Sequence, residues 1–205
     1  MKITEEFGFL ECYIGKNLTG VETTPYWSEK RHITMSNSVV IHTDRGPLFF
    51  SCSPYMTDLF YEEGEDVLFS VSETARSVEY SSLDDIPPRK EKRDETIIDI
   101  ELVYDEVTAL EKSEKSRILT YPVSVFISTY DSIIAVWRDS MDVSLLCYEG
   151  EYATRNVLWP IDELWGDYFG VPPFMVKRRT YSYYEEGEVY SEEKRYFPPS
   201  DGPSL

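Results

Sequence analysis

Reactive side chains are scarce in this sequence: 205 residues contain three cysteines and two histidines. Cys12, Cys52 and Cys147 are odd in number, widely spaced and without a CxxC pair. That argues against a secreted disulfide framework and against a structural zinc site. Each lies among apolar or aromatic residues, so all three are expected as buried thiols in a reducing compartment. A cysteine nucleophile needs a histidine within hydrogen-bond reach, and only His32 and His42 are present. In a hairpin over residues 38–52, His42 faces Leu48 or Phe49, and Cys52 lies further along the same arm. At about 3.3 Å per residue the two are roughly 10–13 Å apart, too far for proton transfer. The two histidines are also spaced too widely for an HExxH helix pair.

Phosphate-binding signatures are missing: there is no GxxxxGK[ST], no GxGxxG and no GxSxG. No apolar run approaches the roughly 18 residues of a membrane span. The opening MKITEEFGFLECYIG is interrupted by Glu5 and Glu6 and contains no stretch of signal-peptide length. A cytoplasmic location is the expectation. Positive charge is in short supply, and the basic groups at residues 89–93 and 177–179 sit in acidic surroundings. A nucleic-acid groove needs such groups to dominate locally.

Negative charge and tyrosine are what the chain has in excess. Its 38 acids outnumber 20 bases, for a formal net charge of −18. The surplus is spread: residues 1–102 hold 20 acids and 10 bases, and residues 103–205 hold 18 and 10. Such a field repels nucleic acid and anionic membrane and attracts cationic partners. Aromatics make up 15% of the residues, with 16 tyrosines, whereas disordered chains are poor in them. A chain of this length buries roughly 70% of its unfolded surface, which is enough to fold without a metal or disulfide staple. Trp27, Trp137, Trp159 and Trp165 are therefore read as core rather than as a sugar-binding platform.

The pattern along the chain predicts an α+β, strand-dominated fold. It consists of a mainly antiparallel sheet with two or three short helices and a C-terminal β-hairpin. Residues 7–14 are apolar enough for a strand. Residues 15–37, broken by Gly15, Gly20 and Pro25, read as a long loop with one poor strand near residues 31–35. Residues 38–52 form the clearest hairpin, turning at Asp44–Gly46. Ser53-Pro54 has the chemistry of a helix start, with Met56, Leu59 and Phe60 at helical spacing and Gly64 closing the helix. Strands follow at 67–72 and 76–81. The polar run 82–95 reads as an exposed loop, either a long hairpin connection or an internal boundary.

Residues 96–104 read as a strand, and 105–116 as a surface helix capped by Asp105, with a Glu111–Lys115 pair. A meander of three strands is expected at 121–129, 132–138 and 143–148. A short helix lies within 159–173, and 174–197 is an edge or solvent-exposed hairpin turning at Gly187. Residues 1–197 are expected as one domain and 198–205 as a disordered tail.

With no catalytic constellation in view, the expectation is a non-enzymatic, acidic protein-binding module. An inhibitor or an immunity or anti-defence factor that covers a basic partner such as a nuclease would work in this way. A non-catalytic assembly protein is the alternative, and an enzyme built from dispersed carboxylates, such as one acting on carbohydrate, is a second. The expected partner is a basic protein, not nucleic acid or membrane, and no cofactor or metal is expected. The candidate contact surface is Tyr181, Tyr183, Tyr184, Glu185, Glu186 and Tyr190 on the C-terminal hairpin. A second acidic cluster, Glu62, Glu63, Glu65 and Asp66, surrounds Gly64. It lacks the alternating oxygen ligands of a calcium loop.

Overall fold

The computed structural model describes residues 7–30, 33–57, 64–74, 89–110, 118–138, 145–150, 158, 160–165, 173–184 and 187–197. Of these, residues 24–30, 33–37, 53–57, 64–68 and 187–190 are described by their backbone alone. A 3-10 helix, Gly8–Tyr13, precedes ten strands: β1 Asn17–Lys30, β2 Ile33–Thr43, β3 Pro47–Thr57, β4 Gly64–Ser72, β5 Arg89–Ala109, β6 Ile118–Thr129, β7 Ile133–Arg138, β8 Leu145–Glu149, β9 Phe174–Tyr184 and β10 Gly187–Phe197. Among the described residues one short helix, α1 Ile161–Trp165, lies between β8 and β9.

Every ladder among the described residues is antiparallel. The strand order is β10-β9-β5-β6-β7-β8-β2-β3-β4, and β1 pairs with both β2 and β5. Strands β1, β2, β8, β7, β6 and β5 therefore close into a ring, the connectivity of a small barrel. Hairpin β9–β10 continues outward from β5, and hairpin β3–β4 continues from β2. The main core fills the ring with Leu18, Val21, Ile41, Ile97, Ile100, Leu102, Val125, Ile127, Ile134, Val136 and Cys147, among others.

Local irregularities keep this core in register. β5 has a bulge between Ile97 and Asp99. The extra residue reverses the alternation, so Ile97 faces the core, as do Ile100, Leu102 and Tyr104. A second bulge lies opposite Val103/Tyr104, next to Pro122 of β6. Proline offers no N–H to a ladder, and a bulge is where a sheet tolerates it.

Several sequence expectations are met. The hairpin over 38–52, the strand at 67–72, the strand at 96–104, the three-strand meander, a helix within 159–173 and the C-terminal hairpin are all present. Gly46 turns the first hairpin at φ 141°. Trp137 and Trp165 are core, at 2% and 1% exposure.

Others are corrected. Within residues 7–14, Gly8–Tyr13 form a 3-10 helix rather than a strand. Phe7, Leu10 and Tyr13 are all buried, the column expected of a helix with three residues per turn. Residues 15–37 are mostly strand, because β1 finds partners on both sides. Gly20 is not a break there: an added Cβ would stand 2.8 Å from the Glu91 carbonyl oxygen, so glycine permits the close approach of β1 to β5. Ser53 and Pro54 continue β3 instead of opening a helix. Pro54 sits beyond the end of the β2–β3 ladder, where β3 pairs with β4 alone and a missing N–H is tolerated.

Residues 89–95 are the first half of β5, not a loop, and β5 runs through Asp105 to Ala109 where a helix was expected. Gly187 pairs with Tyr184 as the first residue of β10, at the turn end of the hairpin. Residues 58–63, 76–88, 111–117, 139–144, 166–172 and 198–205 carried further expectations that lie outside the described residues.

Candidate functional site

The C-terminal hairpin is positioned by a continuous register with β5. Val103, Asp105 and Val107 stand opposite Thr180, Arg178 and Val176, and α1 covers this face. Asp105 is fully buried and Arg178 nearly so. Arg178 Nε and Nη2 donate to the two Asp105 carboxylate oxygens at 2.8 Å each, and the Trp165 indole N–H donates to Oδ2 at 2.8 Å. The Trp165 ring meets Tyr121 edge-on at 5.4 Å. A charged pair in this setting is held by fork geometry and hydrogen-bond saturation rather than by solvent. It fastens α1 to the sheet.

The opposite face of the same strands carries an exchange of charges. Glu106 of β5 lies 3.5 Å from both Lys177 and Arg179 of β9. Arg179 reaches Glu192 of β10 at 3.2 Å, and Lys194 reaches the same carboxylate at 2.8 Å. The basic triplet 177–179 is thus neutralised by strands on both sides of it.

Between α1 and the hairpin lies a cleft of about 330 Å³. Val103, Leu158, Pro160 and Ile161 give it an apolar wall, and Thr180 and Ser191 add hydroxyls. Asp162, Glu193 and Arg195 form its rim, with Arg195 2.9 Å from Glu193 and 3.7 Å from Asp162.

The residues expected at a contact surface have different fates. Tyr183 is 1% exposed and belongs to the core, while Tyr181 packs beside it with ring centroids 6.0 Å apart. Tyr184 is half-buried. Tyr190 stands opposite Tyr181 in the hairpin ladder. Glu65 and Asp66 are in β4, opposite Met56 and Tyr55. Glu62, Glu63, Glu185 and Glu186 lie outside the described residues. Of these tyrosines, Tyr181 and Tyr183 turn toward the core, whereas Tyr196 of the same hairpin is exposed.

A second charged centre went unnoticed in the sequence. Glu91 and Glu95 of β5 stand opposite Val21 and Leu18, so they face inward, as does Glu149, two residues beyond the buried Cys147. Arg93 lies among them and pairs with Glu91, Glu95 and Glu149. Glu95 also accepts hydrogen bonds from Thr129 and Ser132 in the β6–β7 turn, at 2.5 and 2.6 Å. Burial and then Glu91 push the Glu149 carboxyl above its usual range, against the pull of Arg93 and Arg89. Glu95 is held below its usual range: burial raises it, but the Ser132 and Thr129 hydroxyls and Arg93 outweigh burial. This centre caps one end of the ring. The signal was the alternation Arg89, Glu91, Arg93, Glu95, which has strand period and was masked by its polarity.

Nucleophilic chemistry gains no support from the cysteines. His42 pairs with Pro47, one step beyond either expected register, so Cys52 lies roughly 16 Å further along the strand. His42 Nε2 is instead 3.0 Å from Glu22, whose carboxyl it holds below the usual range. Burial pushes the Cys147 thiol far up, away from the thiolate. Cys12 is exposed, contrary to the expectation of three buried thiols. Among the described residues no group of three or more His, Cys, Asp or Glu is placed to hold a metal ion. No described helix is long and apolar enough to cross a membrane. No protein-family model, curated protein or solved structure matches this chain.

Proposed function

We propose that this protein is an acidic binding module that docks on a cationic protein surface, with the face formed by α1 and the C-terminal hairpin as its contact region. The observation that carries this reading is how the cations are used. Arg93 serves three carboxylates, Arg179 two, and Arg195 two, while Arg178 is buried on Asp105. With these four arginines committed to ion pairs, a chain of net charge −18 has carboxylates in surplus to offer a partner. Such a field accelerates encounter with a basic partner and makes the encounter sensitive to salt. An inhibitor or immunity-type factor that covers the phosphate-binding surface of a nuclease fits this chemistry.

The test is capture of partners from a lysate of the source organism at rising ionic strength. Basic proteins retained at low salt and released at high salt are the expected result. Retention that ignores salt, or no retention, refutes the reading.

The convergence of Glu91, Glu95 and Glu149 favours a second reading, an enzyme with a dispersed carboxylate site. It ranks lower because Arg93 occupies the space among the carboxylates where a substrate would have to lie. An Arg-filled cluster satisfies its own charges, as an internal fastening does.

A further inference from the structure

β10 is an open edge of the sheet. It stands at one end of the strand order and, among the described residues, pairs with β9 alone. β4, at the other end, comes back against β6 and β7. An edge strand leaves a row of N–H and C=O groups pointing away from its neighbour, ready to pair with another chain. Native sheets often spoil such an edge with a bulge, a proline or a very short strand. β10 has none of these. It runs opposite β9 from Gly187–Tyr184 to Phe197–Phe174 without a register shift, and no proline lies within it. Its protection is charge, and the charges are ordered. Alternation sends Glu192 and Lys194 to the side of Arg179, and Glu193 and Arg195 to the side of α1. Tyr196 follows them at 60% exposure.

We propose that two copies of this chain pair β10 with β10 about a two-fold axis at Glu193, making one continuous antiparallel sheet. This register sets Glu192 of each copy opposite Lys194 of the other, so the charges that discourage pairing in general complement each other here. On the α1 side Glu193 meets its own copy, and each carboxylate has an Arg195 guanidinium 2.9 Å away. The centre is therefore a neutral group of two acids and two arginines. By position, Tyr190 then falls opposite Tyr196 and Val189 opposite Phe197, residue types that sheets favour as cross-strand partners. Moving the axis to Glu192 or to Lys194 loses both Glu192–Lys194 pairs. A two-fold axis perpendicular to the sheet keeps both α1 faces on one side, so the pairing sets two copies of the acidic contact face next to each other. The inference uses the β10 edge alone and stands independently of the cationic-partner reading. The charge of −18 on each copy opposes long-range approach, and at 0.15 M salt screening shortens its reach to about 8 Å.

The test is sedimentation equilibrium of the full chain over a concentration series at that salt. The unmodified chain is expected to form a dimer. Glu192→Lys and Lys194→Glu each oppose like charges at two places and are expected to weaken dimerisation about tenfold. An equimolar mixture of the two variants restores opposite charges at both places and is expected to associate as tightly as the unmodified chain. Cysteine crosslinking reads the register with the Glu192–Lys194 pairs left in place. In a Cys12→Ser background, Glu193→Cys is expected to give a disulfide-linked dimer, because directly opposed Cα atoms lie about 4.5–5.5 Å apart. Ser191→Cys, displaced about 13 Å along the strand from its own copy, is not. A chain that stays monomeric, a mixture of the charge variants that associates no more tightly than either alone, or equal crosslinking through Ser191→Cys and Glu193→Cys overturns the inference.

Discussion

Asp105 is the residue on which the α1 face most depends. It takes two hydrogen bonds from Arg178 and one from Trp165 while fully buried. Asp105→Ala leaves a buried guanidinium without its counter-charge, and the expected cost is about 3–5 kcal/mol. Replacing both charges, Asp105→Leu with Arg178→Met, is expected to recover part of that loss, because the desolvation cost of the ion pair disappears with it. Urea denaturation midpoints at constant slope measure both. A double variant no more stable than Asp105→Ala would show that Arg178 is satisfied without Asp105. In the sequence Asp105 read as a helix cap, since Asp before a polar, helix-permissive run fits that role. Nothing local distinguishes a cap from a buried carboxylate whose partner lies 73 residues away. Tyr181 and Tyr183, which the sequence offers as contact surface, occupy alternate positions on β9 and pack toward the same core.

Hairpins with clear alternation and turn chemistry were readable, whereas polar or proline-interrupted strands were not, even where, as for β1 with β2 and β3 with β4, the partner adjoins in sequence. The hairpins β2–β3 and β9–β10 and the β6–β8 meander carry their own turn chemistry, and their alternation decides which face is buried. β1 and the first half of β5 are polar, contain or adjoin glycine and proline, and become strands through tertiary pairing, β1 with both β2 and β5. Tertiary context there outweighs propensity. The fastening at the end of that pairing has a testable pH signature. Glu149 has a folded pKa raised above its unfolded value, so its contribution to stability is complete below the unfolded pKa and is lost as pH rises through the folded one. Glu95 is lowered, so its contribution is present above the unfolded pKa and is lost as pH falls. Glutamine mimics the protonated acid. Glu149→Gln should therefore gain stability relative to the unmodified chain as pH rises from about 4 to 7. Glu95→Gln should lose stability over the same range. Urea unfolding across a pH series reads both, and parallel curves for the two variants would contradict the assignment. The charged groups facing Glu149 are Glu91, Arg93 and Arg89 of β5.

At the scale of the whole molecule, the same charge that recruits a partner works against the fold. Surplus carboxylates distributed over a compact body repel one another, whereas exposed ion pairs such as Arg45–Glu73 and Arg195–Glu193 each contribute only about 0–1 kcal/mol. Screening shortens the reach of that repulsion from about 30 Å at 0.01 M salt to about 8 Å at 0.15 M. The buried Asp105–Arg178 pair is screened far less, because solvent ions do not reach it. Added salt should therefore raise the melting temperature of the free protein by a few degrees, while it weakens the complex with a cationic partner. Opposite signs for the two effects matter, because loss of binding at high salt then cannot be ascribed to unfolding. Calorimetry of the free chain and of the complex over one salt series measures both. A melting temperature that falls with salt would mean that surface ion pairs outweigh repulsion, and the −18 surplus would then be too well compensated to steer a partner.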